Sequence, residues 1–165
     1  MTTIHNRVLV AAPYSQRLGV AVFAGSDLLH YAVITFRLPR TERSVRNETS
    51  AQLKQLFEEF CPGSLLIKKL SRRQTKSPNQ WAVIEQLSTD AGAAGVRIAE
   101  RSFEEAKRDL SGGNASATNT EAFLKLMRIY PELERLGHFR NRHQREYYVP
   151  VLTAVAIGRS RCSAL

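Results

Sequence analysis

No acidic residue occurs between Tyr147 and Leu165, and none between Leu66 and Lys76. The whole chain shares the imbalance, with 24 Lys and Arg against 15 Asp and Glu and a net charge of +9. Such a charge favours a polyanionic partner, with nucleic acid ahead of an anionic membrane. Long apolar runs are also missing. Nothing approaches the ~20 residues that span a bilayer, and the apolar run in MTTIHNRVLVAAP is too short for a secretory signal. Cysteine is scarce. Cys61 and Cys162 lie far apart without metal-type spacing, which argues against a disulfide framework and for free thiols in a reducing, cytoplasmic compartment. No internal repeat or low-complexity segment occurs. What is present is globular: 43% hydrophobic and 24% charged residues in 165 positions. That is one domain spanning 1–165, able to hide roughly 70% of its unfolded surface.

The pattern opens with strands. Arg7–Pro13 is a near-continuous apolar run, as in a strand covered on both faces. A tight turn at Pro13-Tyr14-Ser15 leads to a second strand, Leu18–Ala24. Gly25-Ser26-Asp27 turns the chain into a third, Leu28–Arg37. A helix over Thr41–Phe60 follows, with Val45, Leu53, Leu56, Phe57 and Phe60 on one stripe. A fourth strand begins at Ser64. Ser77-Pro78 caps a helix lined by Trp81, Ile84, Leu87 and Ala91, and Val96–Ala99 is a short fifth strand. Two capping boxes, Ser102 to Glu105 and Thr118 to Glu121, open further helices. Tyr148–Ile157, with Pro150 near its start, reads as a buried C-terminal helix, with a strand as the alternative.

Residues 8–37, with Arg17-Leu18-Gly19 and Val22-Phe23, and residues 102–131, SFEEAKRDLSGGNASATNTEAFLKLMRIYP, resemble the RuvC-type Holliday-junction resolvases. The resemblance implies an α/β, ribonuclease H-like fold. Its five-stranded mixed sheet joins a three-strand antiparallel meander to parallel strands, with helices on both faces and right-handed crossovers. It aligns Lys107, Ser111 and Gly112 with a capped helix and Thr-Gly segment of that family. It also implies a two-metal nuclease site of four acidic residues. The first is an Asp before Pro-Gly-Ser, and here that position is Ala12, before Pro13-Tyr14-Ser15. The others fall on Lys68, Pro150 and Thr153. By this resemblance the chain is a degenerate member whose catalytic positions carry no carboxylate.

Mg²⁺ is a hard cation held by oxygen anions, and two-metal hydrolysis needs them. Ala12 offers no ligand, Lys68 offers a repelling charge, and Pro150 and Thr153 offer one neutral hydroxyl. No cofactor is expected, and Mg²⁺ enters only if ligands have been relocated. Lys68 itself has two readings: an ammonium that contacts phosphate, or a strand-end lysine in solvent. Other chemistry finds little support. Asp90, Glu100, Glu104, Glu105 and Asp109 fit helix-terminal charge and solubility. His138 and His143 lack further ligands for zinc. Ser15 and Ser111 have no evident His-Asp partners. Gly112-Gly113 lacks the Lys-Ser/Thr of a phosphate-binding loop.

Candidate nucleic-acid contacts are Lys68, Lys69, Arg72, Arg73 and Lys76, in a run that the resemblance places beside the old site. Arg17, Lys107 and Arg108 extend this rim. A second cluster, Arg135, Arg140, Arg142 and Arg145, lies near Phe139, Tyr147 and Tyr148 and suits phosphate contact with base stacking. Three readings follow. The chain is an inactive nuclease scaffold that binds nucleic acid, DNA favoured over RNA, branched DNA included. Alternatively it is a divergent metal-dependent endonuclease, or a protein-interaction module. A homodimer is expected from the resemblance, and no membrane partner is.

Overall fold

The computed structural model describes residues 6–71, 73, 77–137 and 141–163. Five strands form one sheet in the order β3-β2-β1-β4-β5. They are β1 (Arg7–Pro13), β2 (Arg17–Ala24), β3 (Asp27–Thr35), β4 (Ser64–Lys68) and β5 (Arg97–Arg101). The first three make an antiparallel meander, while β4 and β5 join in parallel. This is the expected mixed sheet with helices on both faces.

β1 is central, which explains its unbroken apolar run. Alternate residues serve separate cores. Leu9 and Ala11 pack with Leu18, Val20, Val22, Leu65 and Ile67 beneath α1 (Glu42–Phe60) and α2 (Pro78–Ala93). Val10, Ala12, Ala21, Phe23 and Leu66 face the other way. There they meet α3 (Phe103–Leu110), α4 (Asn119–Ile129) and α6 (Arg142–Ser163). A short 3₁₀ turn, Pro131–Leu133, and α5 (Glu134–Gly137) join α4 to the last helix. Ser102 and Thr118 both form the capping boxes expected of them.

α6 lies directly on the sheet because the strands beneath it present small residues. Ala12 pairs with Gly19 across β1 and β2. A β-carbon on Gly19 would fall inside the Pro150 carbonyl and 2.6 Å from the Val151 nitrogen. Farther along, Gly158 meets the Phe23 ring.

Three elements differ from the expectations. α6 starts at Arg142, ahead of Tyr148, so Pro150 sits inside the helix. Asn141 supplies the reason: its side chain accepts the Gln144 N–H at 2.9 Å, and Arg142 pairs with Glu146 one turn on. α2 turns Gln80, Ala82, Val83, Leu87 and Ala91 inward and leaves Trp81 and Ile84 half-buried at its flank. β5 runs to Arg101, because the ladder with β4 continues to the Lys68–Arg101 pair. Among the described residues no helix is long and apolar enough to cross a membrane.

Candidate nucleic-acid interface

The positions aligned with catalytic acids do converge. Ala12 is the last residue but one of β1, fully buried, and Lys68 ends β4 alongside it. Pro150 and Thr153 lie one turn apart on α6, above the same strand ends, and Thr153 is fully buried. The space they surround is filled by Tyr14. Its hydroxyl shares a 2.9 Å hydrogen bond with Thr153 Oγ1. The Lys68 ammonium sits 3.8 Å from the centre of its ring. The turn that carries Tyr14 is held at both ends. Tyr14 N–H donates to the Arg17 carbonyl at 2.8 Å, and buried Gln80 Nε2 donates to the Pro13 carbonyl at 2.8 Å.

Burial shapes the titration of this cluster. It raises the Tyr14 phenol above its usual range, with the Thr153 hydrogen bond opposing in part. The phenol is therefore neutral at physiological pH. Burial lowers the Lys68 ammonium to about 8. The ring face partly replaces lost water through a cation–π contact.

The sign of the linkage follows. Between pH 8 and 10.5 the unfolded chain keeps a proton on Lys68 that the folded protein has released. Stability contributed by this group therefore rises with pH across that window, by on the order of 3 kcal/mol at most. We expect Lys68→Met to abolish this rise. Urea unfolding of both proteins at the two ends of the window checks it, and equal slopes would count against the buried ammonium.

The residues present do not fit a divalent metal. A methyl group, an ammonium, a phenol ring and a neutral hydroxyl offer no carboxylate oxygen. Among the described residues, no group of three His, Cys, Asp or Glu side chains is placed to hold a metal ion.

The predicted basic rim divides. Arg17 stacks over the Tyr147 ring at 5.1 Å, and its Nε is buried without a described partner. Lys69, Arg73 and Arg108 are exposed. Arg142 and Arg145 are exposed on the first turn of α6, where Arg142 pairs with Glu146 at 2.8 Å. Arg72, Lys76 and Arg140 lie outside the described residues, as do His138 and Phe139. Lys107 is turned inward rather than along the rim. Its ammonium donates to Asn119 Oδ1 at 3.0 Å and pairs with Glu104 at 2.8 Å, so it ties α3 to α4. Asp109 pairs with Arg101, joining α3 to β5.

Tyr14 was legible only as a turn residue. A signal existed: the resolvase pattern has glycine after the proline, and this chain puts a large phenol there. Gln80 and Asn119 carried no sequence signal, because their roles depend on contacts distant along the chain.

The sheet order, the parallel β1–β4–β5 half and the helix laid over the strand ends define the ribonuclease H-like class, as built in RuvC. Thermus thermophilus RuvC superposes with a TM-score of 0.75 at 19% identity, over 96% of this chain and 95% of that one. T. thermophilus RuvC in complex with a Holliday junction substrate gives 0.74 at 20% identity, over 94% and 92%. The yeast mitochondrial Holliday junction resolvase Ydc2 gives 0.65 at 10% identity, over 98% and 80%. No protein-family model matches the chain, and no curated protein matches it in sequence.

Proposed function

We propose that this protein binds DNA on a resolvase scaffold without metal-dependent cleavage. One observation carries the reading. Tyr14, Lys68 and Thr153 occupy the strand and helix ends where that fold, by resemblance, sets its acids, and they form a half-buried, neutral-to-cationic cluster. The cluster attracts phosphate and repels a dication. Arg17, Lys69, Arg73 and Arg145 supply further charge for backbone contacts, which read shape rather than sequence. A structural neighbour in complex with a Holliday junction supports DNA, branched DNA included, as the nucleic acid. The family resemblance implies a homodimer, which light scattering would register as twice the monomer mass.

The test offers labelled four-way junction, duplex and single strand to the protein in Mg²⁺ and in EDTA. Bound, uncut strands in both solutions are expected. Strands cut only in Mg²⁺ would establish a divergent nuclease instead. Failure to bind any of the three would turn attention to a protein partner.

Lys68 also gives binding a pH signature. As it loses its proton near pH 8, its attraction for phosphate is lost. Affinity measured across that pH should fall for the wild type and stay level for Lys68→Met. A wild-type profile as level as the variant's would remove Lys68 from the interface.

A further inference from the structure

A second feature lies outside the Tyr14 cluster, between α4 and the start of α6. A cavity of about 470 Å³ opens there. Its inner wall is Phe123, 2% exposed and held by stacking on Phe103 at 5.8 Å. Met127 and Leu124 continue the apolar wall. Leu124 is 50% exposed and presents its side chain to solvent at the cavity. The opposite wall is polar. Asn141 and Thr120 stand beside the guanidinium groups of Arg142 and Arg145.

These groups are not equally engaged. Arg142 is occupied by Glu146. Arg145 has no carboxylate partner among the described residues and makes only a 3.4 Å contact with the Thr120 hydroxyl. The Asn141 oxygen is used by the Gln144 N–H, and its amide N–H groups have no described partner. The cavity thus joins an apolar wall to one uncommitted cation and a pair of neutral polar groups. That combination suits a flat, partly apolar ring bearing one anionic group.

We infer that this cavity receives a single unpaired nucleotide, its base against Leu124 and Met127 and its phosphate on Arg145. The volume lies within the ~300–1,000 Å³ typical of small-ligand sites. It has no room for stacked base pairs, so the base must leave its stack to enter. The inference rests on the nucleic-acid reading above and narrows it to strands with unpaired bases. An acidic peptide is the other anionic candidate. An extended chain calls for a continuous groove with several free cations, and among the described residues this cavity offers Arg145 alone.

The test separates the two levels. Thymidine monophosphate and thymidine are titrated into ¹⁵N-labelled protein, which needs no nucleic-acid strand to be bound. Shifts at α4 and the first turns of α6 are expected for both. Arg145→Ala should weaken the monophosphate about fivefold or more and leave thymidine unchanged, as loss of one charged hydrogen bond implies. Leu124→Gln, at an exposed position, should weaken both. A thymidine oligonucleotide should then lose about fivefold or more in affinity with Leu124→Gln, while a blunt duplex loses far less. Matching urea midpoints establish that the variants fold. Monophosphate shifts absent or elsewhere would overturn the site, even if duplex binding holds. Equal losses for oligonucleotide and duplex would overturn it too, as would an acidic peptide saturating the cavity where the monophosphate does not. Monophosphate binding without any strand binding would keep the cavity and sink the DNA-binding function.

Discussion

A protein carrying Gly19→Ala is expected to lose most of its folding stability. The added methyl meets backbone, not a side chain that could swing aside: the Pro150 carbonyl and the Val151 nitrogen. Relief requires α6 to lift off β2. Val151, Leu152, Ala154, Val155, Ala156 and Ile157 are all buried on that helix, so lifting it opens a core. Overpacking usually costs ~1–3 kcal/mol, and a backbone clash belongs at or above the top of that range. Against a typical total of ~5–15 kcal/mol, this leaves a marginal fold. Gly158→Ala is the internal comparison. Its methyl meets the buried Phe23 ring, a side chain rather than backbone, and should cost less. Urea unfolding of the three proteins checks the order. A Gly19→Ala protein within about 1 kcal/mol of wild type would mean that α6 does not seat on Gly19 as described.

The second large effect is on DNA affinity as salt is raised. Each phosphate neutralised by a lysine or arginine releases a counterion, so log affinity falls linearly with log salt. If about five cations of the rim engage, the slope is about −4 to −5, and affinity falls roughly 250- to 1,000-fold between ~50 and ~200 mM salt. Arg17, Lys68, Lys69, Arg73 and Arg145 supply that number, whereas Lys107 is committed to Glu104 and Asn119 and Arg142 to Glu146. Removing one exposed contributor, as in Lys69→Ala, should reduce the steepness by about one. A titration of duplex or junction over that range measures both. A slope near zero would rule out phosphate contact as the basis of binding.

Much of the fold was legible because its signals are local. The apolar run of β1, the Ser102 and Thr118 capping boxes and the Ser77-Pro78 helix start each depend on a few neighbouring residues, and each formed as expected. The sheet order came from the resemblance, and solved structures at 10–20% identity share it. The candidate site was legible as a set of missing carboxylates, not as a set of contacts. That Lys68 would lie on an aromatic ring depends on a turn residue 54 positions earlier. That Lys107 would point inward depends on Asn119, across a loop. The α6 boundary was misjudged because Pro150 suggests a helix start, while the Asn141 cap and the Arg142–Glu146 pair carry more weight. In each case the deciding partner is distant in sequence or a single polar side chain, and neither leaves a periodic trace.

The two hydrophobic cores share no residue, since β1, β2 and β4 send alternate positions to opposite faces. Substitutions on opposite faces touch few common partners, so their energetic effects should add rather than compound. Apart from Gln80, which holds the Tyr14 turn, the face under α1 and α2 can therefore drift, or be rebuilt by an engineer, while the face bearing Tyr14, Thr153 and the α4–α6 cavity stays intact. In evolutionary terms the molecule has two independent drawers. One holds stability in reserve, so that the other is free to change its chemistry.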